Sequence, residues 1–277
     1  MPELPEVETI VRALNKGGRG ANSILEKKII SSKVFWKRSI EKPGPRIFTK
    51  KISGQKIFKI TRRGKYIHFH LSKGNLFFHL RMSGDIVIED EEVPVHKHVR
   101  VNLSLDDSRK ISFYNPRKFG RVWLVEDPDH VTGKLGIEPF DDTLNADLFF
   151  QMLNSRKRQL KPLLMDQSFI AGLGNIYTDE ALHLAGLHPL TPSNLVGKEK
   201  SAKLLKSIRS VLSTGIRNNG ASFDWVYKGG EFQNEFRVYK RKDENCPECG
   251  AQIKKMVVGQ RGTHFCPSCQ SLPQFQE

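Results

Sequence analysis

Four cysteines near the end of the chain form two closely spaced pairs. Two residues separate Cys246 from Cys249, sixteen residues follow, and Cys266 and Cys269 repeat the first spacing. Two such knuckles facing each other across a β-hairpin supply four thiolates to a tetrahedral zinc ion. All four positions are then filled by protein, so the ion is structural. We therefore predict one structural Zn²⁺; a free or disulfide-paired set of cysteines is the alternative.

The start of the chain offers a second kind of chemistry. Pro2 follows the initiator Met, which aminopeptidases commonly remove ahead of a small residue. Removal would expose a secondary amine with a pKa near the α-amino value of about 7.7–8.0, against about 10.4 for lysine, so more of it is neutral and nucleophilic at pH 7. Its attack on a sugar C1′ gives an iminium, an electron sink for breaking neighbouring C–O bonds. Glu3 can transfer the protons. A Met-Pro start alone is usually only a processing feature.

The charge of the chain points to a polyanionic partner. Lys and Arg number 45 against 30 Asp and Glu, a formal net charge of +15 over 277 residues. No apolar run reaches the roughly 18 residues of a membrane-spanning helix, and Glu3, Glu6 and Glu8 stand where a signal peptide would be positive. We predict a soluble, cytoplasmic protein with no membrane partner.

The hydrophobic pattern changes along the chain. Leu4, Val7, Ile10 and Leu14 have helical spacing behind Pro5, which predicts a short N-terminal helix. Short β-rich runs with turn signals about every ten residues then indicate a β-sandwich or barrel. The predicted strands are 56–62, 65–71, 76–80, 85–89, 99–105 and 110–114.

Helical periodicity replaces the β pattern after a connection at 126–142 that contains Pro128 and Pro139. The predicted helices are 144–153, 174–185 and 198–216. The last forty residues form a basic, cysteine-bearing module. We expect an α+β multidomain protein with a β-sandwich domain (1–130), a helical domain (142–235) and a zinc-finger module (236–277).

Seven motifs in order resemble the bacterial formamidopyrimidine-DNA glycosylases, also called 8-oxoguanine DNA glycosylases, over essentially the whole chain. They are PELPEVET (2–9), RRGKY (62–66), HLRMSG (79–84), NPRKFG (115–120), LKPLLMDQ (160–167), GLGNIYTDEAL (172–182) and the terminal zinc finger. The resemblance implies an N-terminal helix with a catalytic β-sandwich domain, a DNA-binding helical domain with a helix-two-turn-helix, and a zinc-finger β-hairpin.

The resemblance also implies roles for four catalytic residues. The amine of Pro2 would form a Schiff base with DNA, and Glu3 would be the proton donor. Lys65 of RRGKY corresponds to the lysine assigned to β-elimination, although a cation near a phosphate also fits a plain binding role. Arg261 corresponds to the finger-tip arginine assigned to δ-elimination.

DNA contacts follow from the same resemblance. They fall on His96, Arg117, Lys157 and Asn175, while Met82, Arg117 and Phe119 would fill the space left by the extruded nucleotide. The residues alone leave other interpretations open. Asn175 could be an ordinary helix N-cap, His96 a solvated histidine, and Met82 and Phe119 core residues. His68 and His70 share a strand face and are interpreted as polar surface.

Two departures from the family pattern stand out. Asn115 occupies the position where the family more often has Asp. The segment 221–233 is several residues shorter than the family loop that covers the flipped purine, which leaves the preference between 8-oxoguanine and formamidopyrimidines open.

The resulting hypothesis is a bifunctional enzyme of base excision repair. It would excise oxidised purines from damaged double-stranded DNA, then cleave the strand at the abasic site by β,δ-elimination, as a monomer. Two alternatives are a sister glycosylase of the endonuclease VIII type acting on oxidised pyrimidines, and a non-catalytic zinc-ribbon DNA-binding protein. The PELPE start, rather than PEGPE, argues against the first alternative.

Overall fold

The computed structural model describes residues 1–222 and 227–272, which pack as two compact units. The first unit contains Met1–Lys134 and Asn219–Gly230, and the second contains Leu135–Asn218 and Glu231–Glu277. Residues 223–226, part of the short loop noted above, and residues 273–277 lie outside the described residues. The division into three domains stays a prediction.

The first unit begins with helix α1 (Leu4–Lys16), which confirms the predicted N-terminal helix. Glu3 is its N-cap and forms a capping box with Glu6, while Pro5 lies in the first turn, where its missing N–H costs nothing. Gly17 ends the helix at φ +84°. The apolar face of the helix is buried and packs on the sheet described next.

Nine strands and two further α-helices follow in the described part of this unit. They are β1 (Ile29–Val34), β2 (Ile40–Lys42), α2 (Pro45–Ile52), β3 (Ile57–Arg63), β4 (Tyr66–Leu71), β5 (Asn75–His79), β6 (Asp85–Asp90), β7 (Val99–Leu105), β8 (Arg109–Tyr114), β9 (Arg121–Val125) and α3 (Asp129–Thr132). One sheet has the order β1-β7-β8-β6 and the other β2-β9-β5-β4-β3. Every pairing is antiparallel except β2 with β9.

The two sheets enclose a single apolar core, which confirms the sandwich. Alternate residues of each strand face inward, and residues of both sheets belong to the same buried cluster. Phe78 of β5 and Phe113 of β8 meet edge to face across the interior, with ring centroids 5.4 Å apart. The sandwich supplies the rigid frame from which its loops project.

The interpretation of His68 and His70 as polar surface is wrong for His68. The two rings lie 3.8 Å apart on one face of β4, and His68 also stacks on Phe77. His68 is only 8% exposed, and its Nε2 is 2.7 Å from the Asn75 side-chain oxygen. Burial lowers the pKa of His68 to about 4, so its ring is neutral and packs like an aromatic residue.

The second unit is helical and ends in a hairpin. Its elements are α4 (Ala146–Asn154), α5 (Leu160–Leu164), α6 (Asn175–Ala185), α7 (Lys198–Arg217), β10 (Lys254–Val258) and β11 (Arg261–Phe265). The Asn145 side chain caps α4 by accepting from Leu148 N–H. Gly186 ends α6 in the left-handed conformation. The three predicted helices are therefore present, and α5 is an additional one.

Strands β10 and β11 pair directly through a two-residue turn. Val258 lies opposite Arg261, and the intervening Gly259 and Gln260 both have positive φ, as a tight right-twisted hairpin requires. The zinc-finger hairpin expected from the cysteine spacing is thus present. Among the helices that the structure describes, none combines the length and the apolar character needed to cross a bilayer.

Two phenylalanines of the first unit give opposite predictions for stability. Phe113 is fully buried, so Phe113→Ala leaves a cavity and should lower the free energy of unfolding by about 3–5 kcal/mol. Phe119 is 48% exposed, so Phe119→Ala should change it by no more than about 0.5 kcal/mol. Urea denaturation of both variants checks this. Equal losses would contradict the assignment of Phe113 to the core and Phe119 to the surface.

Candidate active site

The N-terminal residues are held in place although they begin the chain. Pro2 and Glu3 are buried, whereas Met1 is 46% exposed and therefore accessible to an aminopeptidase. Glu6 holds this arrangement with both carboxylate oxygens. Its Oε2 accepts from Glu3 N–H at 2.6 Å, and its Oε1 accepts from Ala221 N–H at 2.8 Å.

The segment 219–222 fits closely against Glu6. A Cβ on Gly220 would lie 2.6 Å from Glu6 Oε1, and Gly220 also has φ +77°, so this position requires glycine. Tyr227, which resumes the described chain, donates its hydroxyl to the Asn219 carbonyl. Ala221 is therefore fixed to the N-terminal helix, and Asn219 is fixed to Tyr227.

An ion pair with a buried carboxylate extends the same cluster. Arg19 donates both Nη atoms to the Asp85 carboxylate, at 2.9 and 2.6 Å, and Asp85 is 1% exposed. The Arg19 guanidinium lies over the Tyr227 ring, 5.1 Å from its centroid. This contact connects the start of β6 to the segment that contains Tyr227.

Lys65 lies in the turn between β3 and β4 and is only 4% exposed. Gly64 before it has φ +55°, which turns the chain sharply and directs residues 65 and 66 into β4. His79 of β5 accepts from Arg81 N–H at 3.0 Å. Burial, with the nearby Arg81 and Lys65 charges, lowers the pKa of His79 to about 3. The surroundings of Lys65 are therefore buried, and the adjacent histidine is neutral.

Met82, Arg117 and Phe119 lie on two loops of the sandwich. Met82 is half-buried in the loop between β5 and β6. Phe119 is exposed in the loop between β8 and β9, with the Arg117 guanidinium 5.5 Å from its ring centroid. The alternative that Phe119 is a core residue is therefore wrong.

His96 lies in the exposed loop before β7, as the sequence interpretation of a solvated histidine expects. Its ring is 5.1 Å from that of His98 and 5.7 Å from that of Tyr114. Its Nδ1 accepts from His98 N–H at 3.2 Å. A partly fixed imidazole at an exposed position can still donate to a phosphate.

The second unit contains the remaining predicted residues. Lys157 is exposed between α4 and α5. Asn175 is the first residue of α6, and Gly174 is the N-cap, so the interpretation of Asn175 as an N-cap is wrong. Its Nδ2 donates to the Gly262 carbonyl at 3.1 Å, while no hydrogen bond to its buried Oδ1 is found in the described part of the chain. Asn175 thereby contacts the residue that follows Arg261.

Two buried charges fix the hairpin against α5 and α6. Lys161 and Asp179 form an ion pair at 2.6 Å with both side chains fully buried. Lys161 also donates to the Gly262 carbonyl, and Asp179 accepts from His264 N–H at 2.9 Å. Breaking such a pair leaves an uncompensated buried charge, so its geometry is strongly held.

Glu180, the next residue of α6, positions the chain that enters the finger. Its carboxylate accepts three successive backbone N–H groups, from Arg237, Val238 and Tyr239, at 2.7–3.0 Å. Burial raises the pKa of Glu180. Val238, thus held, packs with Cys246, Ile253 and Cys266 in a small apolar cluster.

Arg261 is exposed at the start of β11 and lines a cavity of about 320 Å³. Arg158 and Val258 also line it, and the turn residue Gly259 lies against Pro162 of α5. The guanidinium is therefore presented at the surface of a hairpin that is itself rigidly held.

The four cysteines have the arrangement that zinc requires. Their sulfurs lie within 4.8 Å of one another, with Cys246 and Cys269 at 3.9 Å and Cys249 and Cys266 at 3.4 Å. Tetrahedral ligands with Zn–S bonds of about 2.3 Å are about 3.8 Å apart. An N–H from Ala251 and neighbouring thiols lower the pKa of Cys249 to about 6, whereas burial raises that of Cys266. The residues fit one structural zinc ion.

Sequence reasoning did not identify several of these residues. Lys161, Asp179 and Glu180 lie within family motifs that give them no role of their own, and Arg19 and Asp85 lie outside the seven motifs. Adjacent acidic residues within the otherwise apolar NIYTDEALHLA of α6 were an available signal, because buried carboxylates need partners. The Arg19–Asp85 pair spans 66 positions, and no local pattern indicates it.

Loss of one zinc ligand should unfold the finger. Cys246→Ser should reduce bound zinc from one ion per chain to almost none and weaken DNA binding, because the ion stabilises a module with a very small core. Metal content by mass spectrometry and DNA affinity by anisotropy check this. Ser271→Ala, at an exposed position just after the second knuckle, is the control. Unchanged zinc content in the Cys246 variant would contradict the assignment.

His79 should make the protein acid-sensitive. Its folded pKa lies below that of the unfolded chain, about 6.5, so the unfolded state takes up the proton and stability falls as pH drops below that value. Between about pH 7 and pH 5 this should cost about 2 kcal/mol. His79→Asn keeps an acceptor for Arg81 N–H but has no group that titrates in this range. Between the same pH values, its free energy of unfolding, measured by urea denaturation, should fall by about 2 kcal/mol less than that of the wild type. Parallel losses in both proteins would refute this.

Comparisons with known proteins agree with the geometry. Family models match the "Formamidopyrimidine-DNA glycosylase N-terminal domain" over residues 1–122, its "H2TH domain" over 135–225, and the "Zinc finger found in FPG and IleRS" over 243–272. The chain is 42% identical over 279 residues to the formamidopyrimidine-DNA glycosylase of Protochlamydia amoebophila, covering 98% of this chain and 99% of that one. The Chloroflexus aggregans enzyme is 40% identical, with 99% and 100% covered.

Solved structures give the same result. Lactococcus lactis Fpg (MutM) bound to DNA containing N7-benzyl-Fapy-dG matches at a TM-score of 0.90 and 36% identity, covering 98% of this chain and 100% of that one. MutM in complex with DNA containing carbocyclic 8-oxo-G matches equally well, again at a TM-score of 0.90 and 36% identity. On the full length of its sequence and its fold, the chain belongs to the formamidopyrimidine-DNA glycosylase family.

Proposed function

We propose that this chain excises oxidised purines, 8-oxoguanine and formamidopyrimidines, from double-stranded DNA and then cleaves the strand at the abasic site. The observation that carries this is the buried Pro2-Glu3 pair at the capped start of α1, in a chain of the formamidopyrimidine-DNA glycosylase family. Solved relatives were bound to DNA containing carbocyclic 8-oxo-G, Fapy-dG or an abasic site. These complexes support the same class of substrate here.

Removal of Met1 gives Pro2 a secondary amine. Its lone pair attacks C1′ of the damaged nucleotide, and the C1′–base bond breaks with its electron pair on the base. The departing base takes up the proton that the amine nitrogen loses as the N–C1′ bond forms. Glu3 donates a proton to the ring oxygen as the sugar opens, so that an iminium joins Pro2 to C1′. Because the amine is secondary, the iminium forms without loss of another proton and remains cationic.

The iminium then drives strand cleavage. Loss of a C2′ proton sends electrons into the iminium and expels the 3′ phosphate, which is β-elimination. Lys65 is proposed to assist this step, because it is a buried cation beside the neutral His79. A second elimination expels the 5′ phosphate, and the exposed Arg261 is proposed to stabilise the departing charge.

The damaged nucleotide must leave the stack before C1′ can be reached, which costs a few kcal/mol. We propose that Met82, Arg117 and Phe119 occupy the vacated space, since two loops present a thioether, a cation and an exposed ring. His96, Lys157 and Asn175 are proposed to bind phosphates. The net charge of +15 supports this binding.

Zinc, held by the four cysteines, would stabilise the finger that carries Arg261 and take no part in the chemistry. We propose that the protein works as a monomer, in the bacterial cytoplasm and on the nucleoid when bound to DNA. The relatives named above are bacterial, which supports this location.

A borohydride trapping experiment tests the proposed function. Protein lacking Met1 should form a covalent adduct with a duplex that contains 8-oxoguanine, and Pro2→Gly should lose this adduct and strand nicking. Pro5→Ala, a proline substitution in the first turn of the same helix, should retain both. An adduct with Pro2→Gly as abundant as with the wild type would refute Pro2 as the nucleophile.

Two further outcomes identify the alternatives. Preference for thymine glycol over 8-oxoguanine in direct competition would favour an endonuclease VIII-type activity. Salt-sensitive DNA binding without any nicking or trapping would favour a non-catalytic DNA-binding protein.

A further inference from the structure

A histidine of α6 contacts one of the four cysteines. The Nε2 atom of His183 lies 3.3 Å from Cys246 Sγ, which is within hydrogen-bond distance for sulfur. Both residues are buried, each with 3% of its surface exposed. They are 63 positions apart, and His183 lies just after the motif at 172–182 and outside all seven. Neither the cysteine spacing nor the family motifs indicate this neighbour of the metal site.

The hydrogen bond has only one possible direction when zinc is bound. A cysteine that binds zinc is a thiolate, which carries no hydrogen and can only accept. The hydrogen must therefore be on Nε2 of His183, whether the ring is neutral or charged.

Packing alone does not account for a histidine at this position. The second ring nitrogen of His183, Nδ1, is buried without a hydrogen-bond partner in the part of the chain that the structure describes. Burying a polar atom without a partner costs free energy, and an apolar side chain of similar size would avoid that cost. The contact between Nε2 and Cys246 is therefore the feature that an imidazole supplies here and an apolar residue cannot.

The charge of the metal site explains why a donor is useful at Cys246. Four thiolates and one Zn²⁺ have a combined charge of about −2, and hydrogen-bond donors to the sulfurs disperse it. Cys249 is exposed and also has the N–H of Ala251 as a donor. Cys246 is buried, so solvent cannot supply a donor. Among the described residues, His183 is the one nitrogen donor found for Cys246 Sγ.

His183 projects from the side of α6 that already contacts the finger. Asp179 lies four positions before His183 and Glu180 three, so the three side chains are neighbours on the helix surface. Asp179 accepts from His264 N–H of β11, and Glu180 accepts from the backbone of residues 237–239. The third side chain of the group reaches the metal site itself.

We propose that His183 is a positioning residue of the zinc site, which donates from Nε2 to the Cys246 thiolate and thereby slows loss of the metal. The donor disperses the charge of a buried thiolate and holds its sulfur against α6. Zinc retention in this chain then depends on a residue of the helical part of the second unit as well as on the finger. The inference concerns the metal site and does not depend on the proposed DNA chemistry.

Zinc release to a chromogenic chelator tests the proposal in the full-length, zinc-loaded protein. His183→Phe keeps a ring but lacks a donor, and zinc should leave it about ten- to a hundredfold faster than the wild type. His183→Gln, which has a side-chain N–H of similar reach, should release zinc at close to the wild-type rate. His188→Phe is the control, since His188 is another buried histidine of this unit but its ring contacts Phe265. Its release rate should also stay close to that of the wild type.

Cobalt substitution distinguishes this role from packing. Co²⁺ can replace Zn²⁺ in a tetrahedral thiolate site, and its spectrum includes a band in which an electron moves from sulfur to the metal. An N–H donor stabilises the sulfur electrons, so its removal lowers the energy of this transition. His183→Phe should therefore shift the band to longer wavelength. His183→Gln should restore its position, and His188→Phe should leave it unchanged.

A measurement on the wild-type protein covers the case in which His183→Phe does not fold. In zinc-loaded protein labelled with ¹⁵N, long-range proton–nitrogen spectra show which ring nitrogen of His183 carries the hydrogen. We expect it on Nε2. A ring with its hydrogen on Nδ1 alone would overturn the proposal.

The remaining outcomes are also distinct. A wild-type rate of zinc release in His183→Phe would overturn the proposed role. Faster release with an unshifted cobalt band, or without recovery in His183→Gln, would assign His183 to packing and overturn it as well. Absence of a borohydride adduct with the wild-type protein would instead refute the proposed function and leave this inference standing.

Discussion

The structure depends on holding the first atoms of the chain in a fixed place. The first residues of a chain are usually poorly ordered, yet the proposed nucleophile is the amine of Pro2. A loosely held amine would lose the rate enhancement that comes from a fixed orientation toward C1′. Glu6 meets this requirement with its two oxygens, one on Glu3 N–H and one on Ala221 N–H. The proline and the adjacent acid are thereby buried at the start of a helix whose apolar face is part of the sandwich core.

In the second unit, charged side chains fix the position of the hairpin that carries Arg261. The finger has only a small apolar cluster of its own, too little to fix the direction of Arg261. Adjacent acids of α6 compensate, since Asp179 binds Lys161 and the backbone of β11, while Glu180 binds three N–H groups before the finger. Zinc held by the four cysteines would complete this arrangement. Ionic and metal contacts thus replace the hydrophobic packing that a module of this size cannot supply.

Much of this could be predicted from local patterns. The N-terminal helix, six of the nine described sandwich strands (β3 to β8), the three longer helices and the zinc hairpin follow from hydrophobic periodicity, turn residues and cysteine spacing, all of which act over short stretches. Contacts between distant residues could not be predicted. Arg19 with Asp85, Lys161 with Asp179, and Asn115 with Leu80 depend on the folded arrangement. Asn115 was visible only as a departure from a motif, and the burial of His68 reversed an interpretation based on strand alternation.

The most direct test of the account compares two fractions in one protein sample. Intact-mass spectrometry gives the fraction of molecules that lack Met1, and borohydride titration with excess lesion duplex gives the fraction that can be trapped. If the imino nitrogen of Pro2 is the nucleophile, the two fractions are equal, and every adduct maps to an N-terminal peptide that begins at Pro2. Recovery of an adduct on chains that retain Met1 would contradict the central claim.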